Sequence, residues 1–134
     1  MKSIKEKVDL MTDDWVKTPE GNYRVLGVLN DVVYTDFRND ERDGMAFSDE
    51  LVEPISLTPE ALERNGFTCD ENIAKLVERD DTNNILWSAK YSFFTCMIEV
   101  VNKITDEKVK VRCYSVHELQ HIFRLLEIEK EIEL

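Results

Sequence analysis

Five consecutive residues, His117-Glu118-Leu119-Gln120-His121, match the pattern H-E-x-x-H. On a helix, histidines four apart share one face and can bind one zinc ion. The glutamate between them then acts as general base on the metal-bound water. His117 and His121 are therefore candidate metal ligands and Glu118 a candidate base, as in a minimal zinc hydrolase. Four features oppose that chemistry. Ser115-Val116-His117-Glu118 fits the capping box S-x-x-E, which gives Glu118 a structural task in the first helical turn. At 100° per residue, Val116, Leu119, Ile122, Phe123 and Leu126 form one apolar arc, and both histidines fall opposite its centre, toward solvent. Arg124 projects beside the pair and opposes a divalent cation. The extended zinc-protease motif needs Gly and His where this chain has Arg124 and Glu127. The segment thus reads as the start of a surface helix, with no catalytic residue, resident metal or cofactor assigned. A bare histidine pair of this kind suits adventitious zinc or nickel.

Other chemistry-bearing residues are sparse. Cys69, Cys96 and Cys113 are an odd, widely spaced set, which is neither a disulfide framework nor a zinc knuckle. Cys113 and His117 are four apart and form a possible thiol–imidazole pair, although a buried, inert thiol is the commoner outcome. The glycines at 21, 27, 44 and 66 are isolated, so there is no phosphate-cradling loop. The strongest charge feature is Asp36, Asp40, Glu41, Asp43, Asp49, Glu50 and Glu53. It reads either as a solvated loop or as a partner surface that mimics nucleic acid on a basic protein site. Arg38 interrupts it as a calcium loop.

The elements that must position these residues are short. Strand signals cover 14–18, 23–29, 32–36 and 45–48, with a further short strand over 51–55. They are separated by Pro19-Glu20-Gly21-Asn22 and Asn30-Asp31 turns and by a charged loop over 37–44. A helix follows over 57–67, with Thr58 as N-cap, Pro59 in the first turn and Asn65-Gly66 as the stop. Four strands over 73–79, 84–91, 95–103 and 108–114 then make an antiparallel sheet, with a closing helix over 115–128 and an acidic tail. Trp15, Tyr23, Trp87, Tyr91, Phe93 and Phe94 fall in strand segments and read as core. One of the adjacent Phe93 and Phe94 is left over for a partner surface. The fold class is α+β. A small N-terminal β-meander or SH3-like partial barrel spans 1–56, and the helix, four-stranded sheet and C-terminal helix span 57–134. The two could also share a core as one compact domain.

Composition bounds the class of function. Of 134 residues, 43% are hydrophobic and 34% charged, which fits a folded domain rather than a disordered chain. The net charge of −11 is spread over both halves and repels phosphate backbones, so direct nucleic-acid binding is disfavoured. The N-terminal stretch has no unbroken apolar run, so neither a signal peptide nor a membrane span is expected. Reduced cysteines fit the cytoplasm.

Two stretches carry a resemblance. Leu57-Thr58-Pro59-Glu60-Ala61-Leu62-Glu63-Arg64-Asn65-Gly66-Phe67, and Val116-His117-Glu118-Leu119-Gln120 followed by Arg124-Leu125, resemble a group of small proteins of Bacteroides-group gut bacteria, their phages and integrated elements. The likeness covers roughly the C-terminal half or more of the chain. The group has no assigned activity, so the resemblance implies no functional residue. It does imply that the position of His121 is not reserved for histidine. The expectation is a non-enzymatic phage or mobile-element protein that acts through protein–protein contact. The alternatives are an acidic nucleic-acid mimic that inhibits a host factor, and the minimal zinc hydrolase.

Overall fold

The computed structural model describes residues 10–11, 13–36 and 45–134. The chain divides into two compact units, Met1–Ser56 with Ser115–His117, and Leu57–Tyr114 with Glu118–Leu134. Both are built on antiparallel sheets, so the fold class is α+β.

In the first unit, strands β1 (Trp15–Thr18), β2 (Gly21–Leu29), β3 (Val32–Thr35) and β4 (Met45–Ser48) form a meander in the order β1-β2-β3-β4. The β1–β2 turn is held by Thr18, whose Oγ1 donates to the Gly21 carbonyl at 2.8 Å and accepts from the Glu20 amide at 3.2 Å. The β2–β3 turn needs a left-handed residue, and Asn30 supplies it at φ 56°. Alternation along the strands sends Val16, Val25, Val33 and Phe47 to one face, where they form a core with Val52. The Arg24 guanidinium lies 5.2 Å from the centre of the Trp15 ring, a cation–π contact. The strand expected over 51–55 does not form. A 3-10 helix, Asp49–Leu51, occupies its start. Glu53 then pairs with Lys17 through two 2.9 Å backbone bonds, and Pro54 has no N–H with which to extend the ladder.

The second unit opens with helix α1 (Pro59–Arg64). Thr58 caps it by accepting from the Ala61 amide at 3.2 Å, and Pro59 sits in the first turn, as the sequence predicts. Gly66 takes φ 93° just past the helix. A five-stranded sheet follows, β5 (Thr68–Cys69), β6 (Ile73–Arg79), β7 (Ile85–Ser92), β8 (Met97–Asn102) and β9 (Glu107–Arg112), in sequential order. Four of these strands were expected. The fifth, β5, is two residues long and too short to show any periodicity. Helix α2 (Val116–Leu125) follows the sheet.

The inner face of the sheet is apolar. Ala74, Trp87, Ala89, Tyr91, Ile98 and Val100 are buried. The Trp87 and Phe123 rings meet at 5.5 Å between centroids. The acidic C-terminal segment is not a free tail: Ile128 and Ile132 are buried. The Asn65 side chain, itself buried, donates to the Glu133 carbonyl at 2.8 Å and accepts from the Glu133 amide at 2.7 Å.

Candidate functional site

The sheet of the second unit has two unlike faces. Because side chains alternate along each strand, the register assigns the residues of β6 to β9 to one face or the other, up to the shift between Glu78 and Arg79. Three cross-strand rows over β6 to β9 make up the central part of the face opposite the core. They are Ile73–Ser92–Met97–Arg112, Lys75–Lys90–Glu99–Lys110 and Val77–Ser88–Val101–Lys108. All six charged members are exposed. Five of the chain's 17 Lys and Arg and one of its 28 Asp and Glu lie in these rows. This face is therefore net +4 in a chain of −11, and everything else sums to −15.

Ile73, Ser92, Thr95, Met97, Lys90, Glu99 and Lys110 line an open groove of about 370 Å³ on this face. Its apolar part is Ile73 and Met97, both half-buried, with the buried Ile98 beneath. Glu99 stands between Lys90 and Lys110 in the register, and those two lysines are two strand spacings apart, ~10 Å at the backbone. The groove ends at the β7–β8 turn. There the Ser92 Oγ accepts from the Thr95 amide at 3.4 Å, and the Thr95 Oγ1 accepts from the Met97 amide at 3.3 Å. Next to Thr95 in this turn, Phe94 is 88% exposed. Its neighbour Phe93 instead packs edge-on against Tyr91, with centroids 5.2 Å apart. The two phenylalanines do diverge, but they do so in a turn and not within a strand.

The HELQH segment is arranged differently from its helical-wheel reading. Val116, Leu119, Ile122, Phe123 and Leu126 are buried, as the apolar arc predicts. His117, expected to face solvent, is only 1% exposed, and Gln120 is buried as well. The reason is a long-range pairing that a wheel does not contain. Ser115 bridges to Ser56, and the Val116 amide donates to the Ile55 carbonyl at 2.8 Å, so the first turn starts from a strand-like seat. The His117 Nδ1 lies 3.2 Å from the Ser115 Oγ. Glu118 and His121 are half-buried. Among the described residues no group of three His, Cys, Asp or Glu is placed to hold a metal ion.

The acidic set is only partly described. Asp40, Glu41 and Asp43 lie outside the described residues, as does the side chain of Asp49. Asp36 is half-buried with Oδ1 shielded from solvent, and its amide donates to the Arg24 carbonyl at 3.1 Å. Glu50 and Glu53 are exposed.

None of the three cysteines is in a disulfide. Cys113 is buried, and its carbonyl accepts from the Tyr91 hydroxyl at 2.9 Å. Burial pushes the Tyr91 phenol above its ordinary range, and its hydrogen bond with the Cys96 side chain adds to the shift. Burial also raises the Cys69 thiol, and the carboxylates of Glu63, Asp70 and Glu60 raise it further, which holds back the thiolate.

The basic face leaves only a faint trace in the sequence. The signal was the period-two recurrence of Lys108, Lys110 and Arg112, with Lys75 and Lys90 in other strands. Only the register brings these into adjacent rows.

No protein-family model, curated protein or solved structure matches the chain. Among the described residues no helix is long and apolar enough to cross a membrane.

Proposed function

We propose that this is a non-enzymatic protein that acts through protein–protein contact, with the outer face of the β5–β9 sheet as its working surface. The observation that carries the reading is the segregation of charge: a net +4 face on a chain of −11. An open, water-exposed face recognises by charge and shape, whereas most enzyme chemistry depends on a pocket that excludes water. An origin in a phage or mobile element is proposed on the resemblance of Leu57–Phe67 and Val116–Leu125 alone. Three cysteines outside any disulfide suit a reducing bacterial cytoplasm.

The test is capture from bacterial lysate with matched variants. Wild type recovers a defined partner, K75E/K90E/K110E loses it, and E50K/E53K in the first unit keeps it. A partner retained by the triple variant sinks the assignment of the surface. Loss through E50K/E53K would instead favour the acidic-mimic reading.

A further inference from the structure

We infer that the groove on this face receives an acidic peptide segment of the partner, one with aliphatic side chains between its carboxylates. This rests on the outer face being the working surface and adds the chemistry of what sits there.

The middle row reads plus, plus, minus, plus across four strands, Lys75, Lys90, Glu99 and Lys110. Beside it lie the half-buried Ile73 and Met97. The complement is a segment with carboxylates opposite the lysines, a neutral or basic residue opposite Glu99, and aliphatic groups over Ile73 and Met97.

Three other occupants fit less well. A two-fold contact with a second copy would set this patch against itself, cation against cation. A nucleic-acid strand carries phosphates at every step, so one would fall on Glu99, and a strand longer than the patch would meet the remaining residues, which sum to −15. An anionic bilayer extends past the face in every direction and meets the same repulsion. A short peptide ends within the patch. With a screening length of about 8 Å at physiological salt, it responds chiefly to the lysines it touches.

The experiment is fluorescence anisotropy on the full chain with a labelled synthetic peptide of glutamates and leucines. The comparison probes are its glutamine counterpart, a single-stranded oligothymidine and phosphatidylserine vesicles. Saturable binding of the glutamate peptide is expected, weakened about five- to tenfold in K90A/K110A and tightened about threefold in E99Q. Circular dichroism confirms that the variants are folded. The inference is overturned if the glutamate peptide does not saturate or binds K90A/K110A unchanged. It is equally overturned if the glutamine peptide, the oligothymidine or the vesicles bind more tightly. If the peptide fails while K75E/K90E/K110E still loses its lysate partner, the working surface stands and only its ligand class falls. If neither depends on the face, both readings fall.

Discussion

Glu99 on β8 lies directly opposite Lys90 on β7, with Lys110 of β9 on its other side. Within the isolated protein this is an attractive arrangement, although an exposed cross-strand charge pair contributes less than about 1 kcal/mol. Toward an acidic ligand the same carboxylate is repulsive. E99Q is therefore expected to lower stability slightly in urea denaturation while raising affinity for the glutamate peptide. A variant that moved both quantities in the same direction would contradict this account of Glu99.

The Asn65 side chain is the second relationship with a measurable consequence. It is buried and pairs with both the amide and the carbonyl of Glu133. N65A removes both bonds, together with a third from Nδ2 to the Ala61 carbonyl at 2.8 Å, and leaves backbone groups to find new partners, a cost of about 2–3 kcal/mol. Removing Glu133 and Leu134 breaks the same pair. The two changes should therefore cost less together than the sum of their separate costs in a denaturation double-mutant cycle.

Tyr91 links pH to stability. Its phenol is raised by burial, and its hydroxyl donates to the Cys113 carbonyl. A tyrosine in the unfolded chain titrates at about 10, below the folded value. Its contribution is thus fully present below about pH 10 and declines as the pH rises beyond it. Y91F should cost about 1–2 kcal/mol at neutral pH. The gap between wild type and Y91F should narrow in alkaline urea titrations.

Asp80 acts at the opposite end of the scale. In the β6–β7 turn its Oδ1 accepts from the Asn84 amide, the Thr82 amide and the Thr82 hydroxyl. The Asn84 amide, first, and then the Thr82 hydroxyl hold its carboxyl below the ordinary range. Its contribution is present above the unfolded value of about 3.9 and is lost as pH falls through the lower folded one. Carbon-detected NMR titration should place the Asp80 midpoint below that of an unfolded reference peptide. D80A should flatten the acid limb of the stability curve.

Much of this architecture was legible in the residues. Thr58, Pro59 and Gly66 marked the ends of α1 because capping and left-handed stops depend on local chemistry alone. The strand alternation and turn residues located β1 to β4 and β6 to β9 for the same reason. What escaped depended on distant partners. The burial of His117 follows from the Ser56–Ser115 bridge, which no helical wheel encodes. The docking of Glu133 follows from Asn65, which is 68 positions away. The basic face arises from four strands in one register, so its members looked like scattered surface lysines.

The central claim, that the outer face of the β5–β9 sheet is the working surface, is most directly tested by lysine footprinting. Wild-type protein is acetylated in buffer and in bacterial lysate, and each lysine is read by mass spectrometry. Protection in lysate at Lys75, Lys90 and Lys110, with Lys17 and Lys103 unchanged, is the predicted result. Protection confined to Lys17, or equal labelling of Lys75, Lys90 and Lys110 in both conditions, would contradict the claim.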